Sequence, residues 1–103
     1  MPPLAWPPVT LRIGPHTFDR VVYDAASDVI YAATGGFDSA AKERTPEDHF
    51  LLLDEAGELT GVTLMEPRAR YERDGAVHLT LHTGERERIA GIEATLRAGP
   101  DEV

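Results

Sequence analysis

The stretch His49–Pro67, HFLLLDEAGELTGVTLMEP, decides the fold, because it predicts two β-strands joined by a tight turn. The segment DEAG at residues 54–57 has the residue types of a type I turn, with Asp at the first position and Gly at the last. A Gly at the last position can adopt the positive φ that closes a hairpin with a bulge. The sequence therefore predicts a β-hairpin between His49 and Pro67.

Apolar side chains occupy both faces of this hairpin, because side chains alternate along a strand. On a regular register, one face carries Phe50, Leu52, Val62 and Leu64. The other face carries Leu51, Leu53, Leu59 and Met65. A hairpin that is apolar on both faces must be covered twice, so we expect it to lie in the centre of a sheet or to be buried by a partner.

The composition is that of one small globular domain. The 103 residues are enough for one modest core, and 42% hydrophobic and 27% charged residues are ordinary proportions for a folded chain. The absence of cysteine excludes disulfides, thiolate metal sites and cysteine nucleophiles. No segment has the roughly 20 apolar residues that span a bilayer, and the start MPPLAWPP lacks the pattern of a signal peptide. We therefore expect a cytoplasmic protein.

The net charge of −8 restricts the partners that the sequence favours. Nucleic acids and anionic membrane surfaces repel an acidic protein, so neither is an expected partner. A basic protein is the charged partner that fits this surface.

Turn signals divide the rest of the chain into further elements. Residues 1–8 contain four prolines around Trp6 and predict an extended arm, because proline has no N–H for regular pairing. Residue patterns predict strands at Val9–Ile13, Thr17–Asp24, Val29–Ala33, Arg68–Arg73 and Ala76–His82. Asp74-Gly75 predicts the hairpin turn between the last two. The inward-facing residues of the last strand are predicted to be Val77, Leu79 and Leu81.

Two segments depart from this strand pattern. Residues 34–48 allow a single helical turn at 39–44 and are the expected place for a functional loop. Near the C-terminus, Ile89, Ile92 and Leu96 fall on one face of a helix, and a short extra strand through residues 88–90 is the alternative to this helix. Gly99-Pro100 is expected to end the helix.

These elements predict one α+β domain over residues 9–98, followed by a tail at 99–103. The expected architecture is an antiparallel β-meander of about six or seven strands with one C-terminal helix. The helix is expected to cover one face of the sheet.

Two segments together resemble a known family. The first is YD-x-x-x-D-V-I-Y at residues 23–31, and the second is LLLDEAGELTGVTL at residues 51–64. They are similar to the DUF2283 family of small prokaryotic proteins, over about residues 23–66. The sequence departs from the family at Gly35-Gly36-Phe37 and at Thr63, where the family often has Glu. The resemblance implies a compact antiparallel sheet with a helix, no established activity or catalytic residue, and for some members a partnership with small toxin-like proteins.

The polar residues supply no complete catalytic or metal-binding pattern. His78 and His82 share one strand face, but four strand residues separate their backbones by about 13 Å, too far for zinc bonds of about 2 Å. A metal site would need His16 or His49 to be brought in by the fold. The turn carboxylates Asp24, Asp28 and Asp54 are predicted to hydrogen-bond the local backbone, and no serine lies in a nucleophile elbow. We predict no catalytic residue, no cofactor and no bound metal.

Two functions remain open, and the residues favour a protein-interaction domain over an enzyme. Apolar surface that the helix leaves uncovered predicts a partner site, and a homodimer is the simplest partner. The resemblance implies another form of this function, one half of a two-protein pair of the toxin–antitoxin type. The interface is expected at Leu51, Leu53, Leu59 and Met65. The alternative is a small-molecule binder or enzyme with a pocket between the 34–48 loop and the sheet. The pocket residues would be Tyr31, Asp48 and His49.

Overall fold

The computed structural model describes residues 10–35 and 39–97. Its strands are β1 (Leu11–Ile13), β2 (His16–Phe18), β3 (Arg20–Asp24), β4 (Val29–Ala33), β5 (Ala41–Arg44), β6 (Phe50–Leu53), β7 (Leu59–Met65), β8 (His78–Thr80) and β9 (Arg86–Arg88). Its helices are α1 (Pro67–Asp74) and α2 (Ile92–Arg97). The predicted arm at residues 1–8, the tail at 99–103 and the helix end at Gly99-Pro100 lie outside the described residues.

Five strands form one antiparallel sheet in the order β3-β4-β7-β6-β5. β3 and β4 form a hairpin, and β5, β6 and β7 form a meander whose last strand pairs with β4. The α+β class with an antiparallel meander and a helix at the C-terminal end is confirmed. Within residues 10–35 and 39–97 there are nine strands rather than six or seven, and a second helix, α1.

The remaining elements cover one face of this sheet. β1 pairs with β2 and β8 pairs with β9, and two backbone hydrogen bonds between Arg12 and Ala90 join these ladders. α2 packs against β3, and α1 contacts α2. We call the covered side of the five-stranded sheet the inner face and the opposite side the outer face.

One hydrophobic core lies between the inner face and its covering layer. The sheet contributes Tyr23, Ile30, Ala32, Leu51, Leu53, Leu59, Val62 and Leu64. The covering layer contributes Leu11, Ile13, Phe18, Val77, Leu79, Leu81, Ile89, Ile92 and Leu96. The predicted inward positions of the 76–82 segment are therefore confirmed. Ile92 and Leu96 of the C-terminal helix face the core as predicted, and Ile89 is also buried although it lies before the helix.

The turn at residues 54–57, which joins β6 and β7, forms as predicted. The Asp54 carboxylate accepts hydrogen bonds from the backbone N–H groups of Ala56 and Glu58, both at 2.9 Å. Gly57 has φ 82° and donates its N–H to the Asp54 carbonyl at 3.0 Å. The left-handed conformation at Gly57 closes the turn without a Cβ clash.

A β-bulge decides which side chains of this hairpin face the core. Leu52 pairs with Gly61, but Leu53 pairs with Leu59, so Thr60 is an extra residue in β7. The extra residue reverses the alternation, because each residue of a strand points to the opposite side from the one before. The inner face consequently carries Leu51, Leu53, Leu59, Val62 and Leu64. The predicted face assignment is wrong for Val62, Leu64 and Met65.

Residues 67–74 form a helix where the sequence predicted a strand at Arg68–Arg73 and a hairpin turn at Asp74-Gly75. Pro67 stands at the start of α1, where its fixed φ suits a helix and no N–H is needed. Gly75 ends α1 with φ 75° and donates its N–H to the Tyr71 carbonyl at 2.8 Å. A Pro at the start and a Gly at the end are the sequence signals that this prediction missed.

Two other predicted segments also differ. The segment Ala41–Arg44 was predicted to lie in a helical turn, and its residues favour helix, but its backbone pairs with β6 along its whole length. Tertiary pairing therefore overrides local propensity in β5. The predicted strand Thr17–Asp24 is divided between β2 and β3, which belong to different ladders.

The C-terminal segment combines the two alternatives for residues 83–97. A short strand, β9, comes first, and the helix begins only at Ile92. Gly91 lies between them with φ 99°, and a Cβ there would collide with the Thr10 carbonyl oxygen. A glycine is therefore required where the chain passes from β9 to α2.

Candidate functional site

The outer face of the five-stranded sheet carries the candidate site. The strand register places its side chains in rows that run across the strands. The central row is Val22, Tyr31, Thr63, Phe50 and Arg44. A second row is Arg20, Ala33, Gly61, Leu52 and Lys42. A shorter row is Asp24, Val29 and Met65.

The central row contains the most exposed large hydrophobic residues of the described chain. Val22 is 46% exposed and Tyr31 is 39% exposed, and the two are directly paired on β3 and β4. Phe50, in the same row, is half-buried. The covering layer packs on the inner face, so these side chains form an apolar strip that faces away from the core. Contiguous exposed apolar surface is typical of a docking site.

Charged side chains stand at the edges of this strip. The Lys42 ammonium lies 5.7 Å from the centroid of the Phe50 ring, and Arg44 forms an ion pair with Asp48 at 2.8 Å. The outward strand positions hold three basic residues and one acidic residue, namely Arg20, Lys42, Arg44 and Asp24. The chain as a whole has a net charge of −8, so its acidic excess lies away from this face.

The four residues predicted for the interface are not on one surface. Leu51, Leu53 and Leu59 are buried in the core of the chain itself, each no more than 8% exposed. Met65 lies on the outer face and is half-buried. The bulge at Thr60 places Met65 on the side opposite the three leucines, and the covering layer buries the leucines.

The three residues predicted for a pocket are also separated. Tyr31 lies on the outer face, whereas His49 is fully buried and its ring contacts the backbone of Met65. Asp48 is exposed, has φ 71° and pairs with Arg44. Two open cavities lie near these segments. One of about 270 Å³ is lined by Arg44, Asp48, Phe50, Met65, Glu66 and Arg70. The other, of about 290 Å³, is lined by Ser39, Ala40, Asp54 and Glu55.

His49 is a structural acceptor in the core. Its Nδ1 accepts a hydrogen bond from the Met65 N–H at 3.0 Å, so the neutral ring carries its proton on Nε2. Nε2 is buried and has no hydrogen-bond partner in the described part of the chain. Burial and the nearby Arg70 charge lower the pKa of His49 to about 4, against weaker opposing effects of Glu47 and the His78 backbone. The imidazole is therefore neutral at pH 7 and holds the end of β7.

Asp28 connects the β3–β4 turn to the start of α1. Its carboxylate accepts hydrogen bonds from the backbone N–H groups of Arg68 at 3.0 Å and Ala69 at 3.2 Å, and from the Tyr23 hydroxyl at 3.0 Å. Arg68 donates to the Tyr23 oxygen and to the Leu96 carbonyl, both at 3.3 Å. Burial raises the pKa of Tyr23, so its phenol stays protonated. This cluster fixes both helices against the sheet.

The turn carboxylates follow the predicted role at two of three positions. Asp24 accepts a hydrogen bond from the Ser27 N–H at 3.3 Å, and Asp54 binds the backbone of its own turn. The prediction is wrong for Asp28, which caps a helix 40 residues later in the chain. The spacing within YD-x-x-x-D did not reveal this long-range partner.

Glu47 connects the loop before β6 to the β8–β9 ladder. Its carboxylate accepts hydrogen bonds from the Thr80 N–H at 3.0 Å, the Thr80 hydroxyl at 2.8 Å and the Arg86 Nε at 3.2 Å. Burial alone raises the pKa of this carboxyl, but the hydrogen bonds from Thr80 outweigh it and lower the pKa to about 2. Sequence reasoning missed this residue, because its partners are more than 30 residues away.

The fold brings His16 close to His82. Their ring centroids are 6.2 Å apart; His16 lies on β2 and His82 lies in the turn between β8 and β9. Within residues 10–35 and 39–97, no group of three or more His, Cys, Asp or Glu side chains is arranged to hold a metal ion.

Comparison with known proteins gives no family assignment: no protein-family model, no curated protein and no solved structure matches the chain. Neither helix in the described part of the chain is long and apolar enough to cross a membrane.

Proposed function

We propose that this protein is a non-enzymatic interaction domain that binds a second copy of itself through the outer face of its sheet. The observation that carries the proposal is the exposure of the paired residues Val22 and Tyr31 on a face that the covering layer leaves open. A two-fold axis is the simplest way to cover the same apolar strip on two identical chains.

Charge opposes self-association less at this face than elsewhere. Two chains with a net charge of −8 repel each other over most of their surfaces. The outward strand positions are closer to neutral, because Arg20, Lys42 and Arg44 stand there with Asp24, and Asp48 pairs with Arg44. A basic protein remains the partner expected for the acidic surface elsewhere.

The size of the face indicates a weak dimer. Five strands about 4.8 Å apart and three rows of side chains give at most roughly 400 Å² per chain, because Val29, Ala33 and Leu52 in these rows are buried. Both chains together would bury roughly 800 Å², below the 1,200–2,000 Å² or so of stable specific interfaces. The dimer is therefore expected to depend on concentration.

A two-protein pair of the toxin–antitoxin type is the other form of this proposal, with a different protein on the same face. The resemblance of residues 23–66 to the DUF2283 family supports it, since some members of that family look like partners of small toxin-like proteins. Both forms fit a reducing cytoplasm, which the absence of cysteine favours.

Light scattering coupled to size exclusion tests the proposal, with the pure protein loaded at roughly 10 µM to 1 mM, a range suited to a small interface. The mass is expected to rise from 11.3 kDa towards twice that value. The variant Tyr31→Glu is expected to stay monomeric throughout, because it places a charge in the apolar strip.

Thr17→Glu is the matched control, because it adds the same charge at an exposed strand position of β2, outside the outer face. This variant is expected to associate as the wild type does. A wild-type mass of 11.3 kDa at every concentration rules out the homodimer and leaves the face to a different protein. Equal association of both variants rules out the outer face.

A further inference from the structure

The edge strand β5 presents an open backbone edge. All four of its residues, Ala41–Arg44, are exposed, and β5 pairs only with β6 within the described sheet. Thr45 donates its N–H to the His49 carbonyl, so its backbone N–H points towards the strand that β5 pairs with. Backbone groups alternate in direction along an antiparallel strand, so those of Lys42 and Arg44 point away from β6. These two residues can bind another extended strand through their N–H and C=O groups. The other edge strand, β3, is packed against α2.

The charges of β5 alternate between the two faces of the sheet. Lys42 and Arg44 lie in the outer-face rows, and Glu43 points to the other side, opposite Leu51. An added strand would place a side chain directly opposite each of these three charges. Directly opposite charges stabilise a strand pair when their signs differ and destabilise it when they are alike.

This pattern opposes the pairing of β5 with β5 of a second copy. When two copies of β5 pair antiparallel about a two-fold axis, the outer faces of both sheets lie on the same side. Each residue then lies opposite a residue of the other copy whose number differs from its own by zero or an even number. Centred on Lys42, the pairing puts Lys42 opposite Lys42. Centred on Glu43, it puts Glu43 opposite Glu43 and Lys42 opposite Arg44. Centred on Arg44, it puts Arg44 opposite Arg44.

Each of these three registers places like charges opposite each other, so charge disfavours the self-pairings of β5 that are centred on its charged residues. Charged residues on an exposed edge are a common protection against edge-to-edge association. Self-association through the outer face involves the side chains of Lys42 and Arg44 but not their open backbone groups, so the two modes of binding use different atoms of β5.

We infer that β5 binds an extended segment of a different protein, with acidic side chains opposite Lys42 and Arg44 and a basic side chain opposite Glu43. The segment adds a sixth strand to the sheet, with its backbone bound to Lys42 and Arg44. Main-chain hydrogen bonds provide the affinity in this mode of recognition, and the alternating charges provide the specificity.

Two capped seven-residue peptides test the inference on the full-length protein. One has the sequence TVEKEVT, which carries acid–base–acid at its centre, and the other has the sequence TVKEKVT, with those charges reversed. Both are palindromic, so they present the same charges whether the added strand is parallel or antiparallel. Titrations are followed by the amide NMR shifts of residues 41–44.

The acid–base–acid peptide is expected to shift these amides and to bind about tenfold more tightly than the reversed peptide, because three cross-strand charge pairs change sign. Equal affinities overturn the inference. So does the absence of shifts in β5 at millimolar peptide, or binding that shifts another element instead.

A charge-reversed chain provides the second measurement. The variant with Lys42→Glu, Glu43→Lys and Arg44→Glu is expected to prefer the reversed peptide. Arg12→Glu is the matched control, because it changes the net charge by the same −2 (−2 + 2 − 2 for the triple variant) at an exposed position of β1. The control is expected to keep the wild-type preference. If the triple variant does not fold, the two peptides on the wild-type protein still decide the question.

Discussion

The two faces of the five-stranded sheet carry similar residue types but have different environments. On the inner face, Ile30, Val62 and Leu64 are completely buried under the two ladders and the helices. On the outer face, Val22 and Tyr31 are paired and exposed. The difference shows that apolar residues on a strand do not by themselves indicate a core. The elements that cover a face decide whether its apolar side chains contribute to stability or form a docking surface.

The largest expected effect separates the two faces at adjacent positions of β7. Leu64→Ala removes a fully buried side chain from the inner face and is expected to lower the free energy of unfolding by about 2–5 kcal/mol. Thr63→Ala, on the outer face, is expected to change it by less than about 0.5 kcal/mol. Urea denaturation followed by circular dichroism measures both. Equal losses would mean that the outer face is packed as tightly as the inner face.

Acid is expected to lower the free energy of unfolding because of His49, which is buried in the core. Its pKa falls from 6.5 to about 4 on folding, so the unfolded chain binds more protons between these values and stability drops as the pH is lowered through this window. Since one pKa unit corresponds to about 1.36 kcal/mol, the free energy of unfolding is expected to fall by about 3 kcal/mol in total. Urea denaturation at several pH values between 7.5 and 4 measures it.

His49→Leu is expected to flatten this pH dependence, although the variant also loses the bond to Met65 and starts from a lower stability. His82→Gln is the control, because His82 is exposed, and it is expected to keep the wild-type slope. A steep slope in His49→Leu would assign the acid sensitivity to another group.

The hydrogen bonds of Glu47 join the loop before β6 to the covering layer, and their contribution to stability can be measured. Glu47→Gln keeps the shape of the side chain but removes the charge that Thr80 and Arg86 bind, so a loss of about 2 kcal/mol is expected at pH 7. The pKa of this carboxyl is lowered to about 2, so its contribution is present above pH 4.5 and is lost as the pH falls towards 2. Glu58→Gln, in the exposed β6–β7 turn, is the control for stability and is expected to have no measurable effect.

The smallest expected effect concerns the attachment of α1. Asp28→Ala removes the carboxylate that binds the first N–H groups of the helix and is expected to cost about 1 kcal/mol. The amides of Arg68 and Ala69 should then exchange with solvent faster than in the wild type. Asp24→Ala is the comparison, because Asp24 binds only within its own turn among the hydrogen bonds described. Unchanged exchange at Arg68 and Ala69 would contradict the capping role.

Some of the fold could be predicted because the signals are local. Strand β4 has the predicted bounds Val29–Ala33, the turn at residues 54–57 forms as its Asp and Gly indicate, and Val77, Leu79 and Leu81 face the core. Each of these depends on residues that are neighbours in the sequence.

The candidate site was less predictable, because it depends on a bulge and on the position of the covering layer. Regular alternation from Leu51 to Met65 gave two apolar faces, and the bulge at Thr60 exchanged the sides of Val62 and Leu64. The exposure of Val22 and Tyr31 depends on a covering layer that packs on the other side of the sheet. Neither the bulge nor the side on which the covering layer packs can be predicted from the local residue pattern.

The sequence by itself determined an α+β chain with an antiparallel meander, a hairpin at its centre and a helix near its C-terminal end. Only the tertiary structure decided that Ala41–Arg44 is a strand, that Pro67–Asp74 is a helix and that Val22 and Tyr31 of the outer face are exposed. The local alternatives at these segments differ by only about 1 kcal/mol. Pairing with β6, and the carboxylate of Asp28 at the start of α1, contribute at least as much, so distant contacts select the conformation.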